Sequence, residues 1–219
     1  MQQTAFRGVF TDRGSLFTRR LAGGSVYGER IVSAGGESFR EWDIRRSKLA
    51  AAIRNGLREL PLDRDSSVLY LGAASGTTAS HVSDLCPDGR VVCVEVSPRS
   101  FRDLLAVAGG RPNMFPVNAD ARHPERYRAL LGESDLLYQD IAQRDQDDIF
   151  LRNASMFLRP GGRGMLMVKS RSIAVAERPD EVFRRVLASL ERDRRLKVIQ
   201  TVRLEPFHRD HLAVSVLWK

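Results

Sequence analysis

The chain has 219 residues, is 42% hydrophobic and 28% charged, and carries a formal net charge of +8 at pH 7. That length and apolar content suit one sizeable domain with a buried core and a small appendage, and they exclude a disordered chain. No apolar run approaches a membrane span, and the opening Met1-Gln-Gln-Thr-Ala-Phe-Arg lacks the pattern of a secretion signal, so a cytoplasmic protein with no membrane partner is expected.

Residues 1 to 44 read as short extended pieces, Phe6–Phe10, Ser15–Leu21, Arg30–Ser33 and Ser38–Trp42, separated by glycines, and predict a small β meander. From Arg46 to Arg58 the pattern turns helical, with Leu49, Ile53, Leu57 and Leu60 on one face and Pro61 as the stop. Strands and helices then alternate: Ser67–Leu71, helix Thr77–Leu85, Arg90–Val94, helix Ser100–Ala108, Asn113–Val117 and helix Pro124–Leu131. Asp135–Tyr138 follows, then helix Asp147–Phe157 closed by Pro160-Gly161-Gly162, strand Gly164–Val168 and helix Pro179–Arg192. Leu196–Val202 and Leu212–Trp218 end the chain as strands with no helix between them, so at least one antiparallel pair is expected. The alternation predicts an α/β fold with a mostly parallel sheet covered by helices on both faces. The expected division is a β domain over residues 1–50 and the α/β domain over 51–219.

The first strand of the alternation runs into Gly72-Ala-Ala-Ser-Gly76-Thr77-Thr78 and then a helix. Such a turn lets backbone approach a ligand and aims helix N–H groups at it. The middle glycine that admits a dinucleotide pyrophosphate is missing, which disfavours a nicotinamide oxidoreductase and suits a ligand such as S-adenosylmethionine. Glu95, 19 residues after Gly76, ends the next strand and is placed to accept from both ribose hydroxyls of an adenosine. Asp120 follows the third strand, facing an adenine amino group or capping the next helix, and Tyr138-Gln-Asp140-Ile-Ala-Gln143 ends the fourth. Polar groups at successive strand ends form a ligand crevice at the carboxyl edge of an α/β sheet.

Only Lys48, Lys169, Lys197 and Lys219 are lysines, against 31 arginines. Lysine is the cation whose proton affinity responds to its surroundings, which singles out Lys48 and Lys169. Cys86 and Cys93 form no CxxC pair, so no metal site is expected. The basic balance favours polyanions, nucleic acid first, with Arg99, Arg102, Arg122, Arg144, Arg171 and Arg209 as candidate phosphate ligands.

Tyr70-Leu-Gly-Ala-Ala-Ser-Gly-Thr-Thr-Ala-Ser-His-Val-Ser-Asp84 resembles the signature of the fibrillarin family. So do Arg45-Arg-Ser-Lys-Leu-Ala-Ala51, Val94-Glu-Val-Ser-Pro-Arg99, Asn118-Ala-Asp-Ala121, Asp140-Ile-Ala-Gln143, Gly161-Gly-Arg-Gly164 and Val168-Lys-Ser-Arg-Ser172. The resemblance spans nearly the whole chain and is to the archaeal form, which lacks a Gly/Arg-rich tail. One departure is Trp42-Asp43-Ile44, where the family has Asn-Pro after the tryptophan. The resemblance implies a Rossmann-like S-adenosylmethionine-dependent methyltransferase fold, with a seven-stranded sheet preceded by a small N-terminal β domain. It implies cofactor contacts at Gly72, Thr77, Thr78, Glu95, Val96, Asp120, Ala121, Asp140, Ile141, Ala142 and Gln143. It also implies methylation of ribose 2′-hydroxyls in rRNA and tRNA, within a box C/D ribonucleoprotein. The partners there are a Nop-domain scaffold, a guide RNA with its target RNA, and a kink-turn-binding protein.

A ribose hydroxyl is a weak acid and a poor nucleophile, so the enzyme must align it and ease loss of its proton. Lys48, Asp140 and Lys169 supply the residue types of a Lys-Asp-Lys site, and the resemblance places His211 as the fourth member, with Glu205 and His208 as neighbouring alternatives. Lys169 is expected nearest the hydroxyl and Asp140 beside it as its orienting carboxylate, while Lys48 and His211 hold the nucleotide or tune the charge. Amino-group methyltransferases carry an Asn/Asp-Pro-Pro-aromatic motif where this chain has Asp140-Ile-Ala-Gln, and cytosine C5 enzymes need a cysteine that neither Cys86 nor Cys93 supplies at a strand end.

Overall fold

A computed structural model describes residues 1–219. Five antiparallel strands open the chain: β1 (Gln2–Gln3), β2 (Val9–Asp12), β3 (Ser15–Arg19), β4 (Ile31–Ala34) and β5 (Glu37–Trp42), in the order β1-β2-β3-β5-β4. Arg13 and Gly14 both have positive φ, 46° and 82°, as a two-residue hairpin between β2 and β3 requires. Side-chain alternation gives this sheet two faces. Phe10, Phe17 and Phe39 cluster on one, and Val9, Leu16 and Trp42 join the main core through the other.

The second sheet holds seven strands: β6 (Ser67–Leu71), β7 (Arg90–Glu95), β8 (Met114–Asn118), β9 (Ser134–Gln139), β10 (Leu158–Lys169), β11 (Leu196–Arg203) and β12 (His211–Trp218). Their order is β11-β12-β10-β9-β6-β7-β8, with β12 antiparallel to both β10 and β11 and the other pairs parallel. The chain steps one way from β6 to β8 and the other way from β9 onward. The carboxyl ends of β6 and β9 therefore part at a switch point, where an open α/β sheet places its ligand. Tyr70, Tyr138, Met165, Met167 and Ala213 face a core shared with α1 (Lys48–Arg54), α2 (Thr77–Leu85) and α3 (Pro98–Gly109). Leu71, Leu137, Leu166, Val168 and Val214 face the opposite core, against α4 (Gln146–Phe157) and α6 (Pro179–Arg192). A one-turn helix, α5 (Ser170–Ile173), follows β10.

Three segments depart from the sequence reading. The first helix starts at Lys48, not Arg46, because Ser47 caps it, and it ends at Arg54, since Gly56 at φ 95° leaves helical conformation well before Pro61. Pro124–Leu131 forms two 3-10 turns, Pro124–Arg126 and Arg128–Leu130, instead of one helix. Tyr127 between them turns inward, stacks on Phe157 and donates its hydroxyl to Asn153, and that burial overrides the local helical pattern. Strand β10 begins at Leu158, so Pro160-Gly161-Gly162 lies within it, and the register against β9 shifts between Leu158 and Arg163. Cys86 and Cys93 are buried free thiols.

The two sheets are joined by a buried ionic cluster. Arg40 of β5, with no exposed surface, bonds Glu29 at 2.7 Å, Asp84 of α2 at 2.8 Å and Ser80 at 3.0 Å. Asp84 also accepts from Arg111 at 2.7 Å and Thr18 at 2.7 Å. His81 bonds Thr18 and Tyr27 through its two ring nitrogens and stacks on Trp42. Burial holds that ring well below its usual pKa, so it stays neutral.

Truncating one member of such a cluster strands the other charges in the interior. Arg40→Ala is expected to cost about 3–5 kcal/mol of unfolding free energy, read from denaturant midpoints. Burial alone would raise the Glu29 carboxyl, but the amides of Tyr27 and Val26 and the Arg40 guanidinium outweigh it and bring the pKa to about 2. The folded value lies below the unfolded one of 4.5, so this stabilisation is complete above pH 4.5 and is lost as the pH falls towards 2. Glu29→Gln should flatten the stability profile across that window; an unchanged slope would show that other carboxylates set it.

Candidate active site

At the end of β6 the chain turns sharply over β7. Gly72 and Ala73 both donate to the Val94 carbonyl, at 2.9 and 3.2 Å. Gly72 has φ 77°, and a Cβ there would lie 2.3 Å from the carbonyl oxygen of Asp140, so only glycine lets these two strand ends meet. Gly76, at φ 88°, begins α2 without a side-chain cap, leaving the first N–H groups of that helix open to a ligand. Glu95 ties the crevice together. Its carboxylate accepts from the Ala74 amide at 2.9 Å and the Ser97 amide at 2.7 Å, and each oxygen keeps a further lone pair.

Between these loops lies a cleft of about 250 Å³ lined by Gly72, Glu95, Val96, Asp120, Ala121, Asp140, Ile141, Ala142 and Gln143. Val96, an apolar side chain, is 54% exposed on its lip. Asp120 is ion-paired with Arg122, whose hydrogen bonds hold the carboxyl below its usual range. Arg122 is thereby engaged at the cleft, and Arg171 is likewise paired, with Asp210. Arg99, Arg102, Arg144 and Arg209 are exposed. Thr77 and Thr78 stand at the start of α2 outside the cleft wall, and Thr78 is buried with its hydroxyl donating to Ser47.

Beside the cleft the sheet assembles a second cluster. Asp140 continues the alternation of Tyr138, Lys169 that of Met165 and Met167, and His211 that of Ala213, so all three project towards the face that carries α1. Lys169 and His211 are direct cross-strand partners. From above, α1 brings Lys48, whose ammonium donates to both carboxylate oxygens of Asp140, at 2.9 and 2.8 Å. Asp140 is therefore paired with Lys48, not with Lys169 as the strand order suggested. Lys48 reaches it because α1 starts directly over the end of β9, whereas Lys169 leaves β10 one strand away with its amine unpaired. His211 donates from Nδ1 to the Arg209 carbonyl at 2.6 Å, leaving the Nε2 lone pair free. Burial pushes its pKa down, with the nearby Lys48 charge adding to the effect, so the ring is neutral at pH 7.

Several contributors were not visible in the sequence. Ala74 adopts φ 48° to present its amide to Glu95. Gln146, buried at the start of α4, accepts from the Lys169 amide at 3.1 Å and donates to the Gln143 carbonyl at 2.8 Å, linking cleft and cluster. Ser47 was visible only as part of a motif, and its capping role depends on where α1 begins.

The sequence model of the family described as Fibrillarin matches residues 1–219. The fibrillarin-like rRNA/tRNA 2′-O-methyltransferase of Methanothermobacter thermautotrophicus is 49% identical over 210 residues, covering 95% of this chain and 93% of that protein. Among solved structures, Aeropyrum pernix fibrillarin with natively bound S-adenosyl-L-methionine superposes with a TM-score of 0.90 at 46% identity, covering 98% of this chain and 96% of that one. A chain of a fibrillarin/Nop5p complex gives 0.91 at 42% identity, covering 97% and 98%.

Gly72→Ala tests the crossing of the strand ends. It places a methyl group against the Asp140 carbonyl in a backbone conformation that alanine disfavours, and about 1–3 kcal/mol of stability should be lost. Adenosylmethionine binding, followed by calorimetry, should fall below detection; unchanged affinity would mean that the loop tolerates the shift.

Proposed function

Because this chain belongs to the fibrillarin family, we propose that it is an S-adenosylmethionine-dependent RNA ribose 2′-O-methyltransferase, the catalytic subunit of a box C/D guide ribonucleoprotein. The observation that carries this reading is the position of the Lys48–Asp140 ion pair, with Lys169 and His211, on the rim of an adenosine-sized cleft at the switch point. The cleft suits S-adenosylmethionine: an acidic group at Glu95 for the ribose, apolar surfaces at Val96 and Ile141 for the adenine, and uncapped N–H groups of α2 for a carboxylate. When bound, that cofactor supplies a methyl group already activated by the sulfonium.

The residues of the chain then have two tasks. Glu95, Asp120 and the Asp140–Gln143 segment would hold the adenosine of the cofactor in the cleft they line. Lys169, the unpaired amine, would stand nearest the 2′-hydroxyl and ease departure of its proton. Asp140 fixes Lys48, whose ammonium offsets charge that develops on the oxygen. Neutral His211 presents Nε2 as an acceptor to the nucleotide. Target choice lies outside the chain: the guide RNA selects the nucleotide by base pairing, a Nop-domain scaffold carries this subunit, and a kink-turn-binding protein completes the particle. The +8 charge supports a place beside RNA phosphates, and the proposed compartment is the cytoplasm.

The test is transfer of labelled methyl from S-adenosylmethionine to guided RNA in the assembled particle, with a 2′-hydroxyl or a 2′-deoxy sugar at the target. Label on the hydroxyl substrate alone is expected, and equal label on both would move the reaction to the base. In the same assay, Lys169→Ala and Asp140→Asn should each lower kcat by about 10²–10⁴, with cofactor affinity retained in Lys169→Ala. Loss of that affinity would place Lys169 in cofactor binding instead.

A further inference from the structure

The turn that delivers Lys48 is held from two sides by groups that do not belong to the reacting cluster. On one side the Ser47 hydroxyl, fully buried, accepts from Thr78 at 3.0 Å and from the Ala50 amide at 3.3 Å. Thr78 lies in the first turn of α2, so this bond connects the start of the lysine-bearing helix to the start of the helix that follows the glycine loop of the cleft, the cofactor helix of the proposed function. On the other side His208, in the loop between β11 and β12, donates from Nε2 to the Ile44 carbonyl at 2.9 Å. That loop leads into His211, the first residue of β12, whose ring lies 6.0 Å from that of His208. The segment from Ile44 to Lys48 is therefore pinned between the cofactor helix and the loop that presents His211.

Only a short stretch of main chain separates these pins from the Lys48 ammonium. The ammonium meets both oxygens of Asp140 within 0.1 Å of each other, a symmetric approach that a rotation of α1 would destroy. Neither pin is needed to fill the core: Leu49, Ala50, Ala51 and Ala52 are fully buried and already hold the body of α1 in place. What the pins determine is the axial position and rotation of its first residue.

We infer that Ser47 and His208 are positioning residues that set Lys48 onto Asp140 and register it against the cofactor helix. The inference rests on the proposed methyl transfer. Through the Thr78 bond, the placement of α2 around the cofactor and the placement of the Lys48 ammonium become one arrangement. A displaced lysine should leave the cofactor seated and slow the transfer step.

The experiment is methyl transfer by the assembled particle under single-turnover conditions, with cofactor affinity measured on the same proteins. Ser47→Ala and His208→Ala are expected to slow transfer on the order of 10-fold to 100-fold, the usual effect of an ångström-scale misplacement, with cofactor affinity changed less than about 2-fold. Ser47→Thr keeps the accepting hydroxyl, and His208→Gln keeps a donor near Nε2; both should recover most of the rate, and this rescue also serves if an alanine variant is poorly folded. In a Lys48→Ala background, Ser47→Ala and His208→Ala should produce no further slowing, since they act through that lysine. Effects that add to Lys48→Ala, cofactor affinity that falls in step with the rate, or variants as fast as wild type would each overturn the inference while the proposed function stood. Absence of hydroxyl-dependent transfer by the wild-type particle would overturn both.

Discussion

Where β6 and β9 part, the Gly72 backbone lies so close to the carbonyl of Asp140 that a single methyl group would not fit between them. That contact lets the glycine loop close over the sheet on one side while the carboxylate of Asp140 rises on the other. The cofactor cleft and the ion pair with Lys48 thus share one wall, which is the main chain itself. Backbone of this kind is rigid because its neighbours are hydrogen-bonded strands, so both halves of the site inherit the precision of the sheet. Glu95 adds to this, binding two loop amides with a carboxylate that lines the cleft.

The N-terminal sheet has a physical role in this arrangement. Its Arg40 enters the cluster of Glu29, Asp84 and Arg111, and Trp42 stacks on His81. Asp84 and His81 both belong to α2, the helix that follows the Gly72–Gly76 loop beside the cleft. The strand that ends at Trp42 leads directly into the turn that delivers Lys48. Buried ion pairs of this type contribute little net stability but tolerate few alternative geometries. Here they fix how α2 and the lysine-bearing turn meet, because both are anchored to the same β5 strand.

Charge is distributed to match that geometry. Many guanidinium groups on the surface pair with neighbouring carboxylates, as Arg64 does with Asp88 and Arg185 with Glu177, and such exposed pairs are weak. At the cluster beside the cleft the balance differs. One carboxylate, Asp140, stands among Lys48, Lys169 and a neutral histidine, leaving an excess of positive charge beside the cleft.

Much of this was legible from the residues alone. The β6 strand Ser67–Leu71 was delimited by its apolar run, and Gly72, Glu95, Asp120 and Asp140 were placed at successive strand ends because alternation of strands and helices obliges those ends to share an edge. The sequence by itself determined the parallel sheet, its ligand edge and the residue types gathered there, since these follow from local periodicity and chain order. Only the tertiary structure decided that Asp140 pairs with Lys48, that Thr78 turns its hydroxyl to Ser47, and that Tyr127 breaks the expected helix. Each of these depends on which side chain, distant along the chain, arrives within a few ångströms of another. That is set by the packing of α1 and α4 on the sheet, and no spacing along one segment records it.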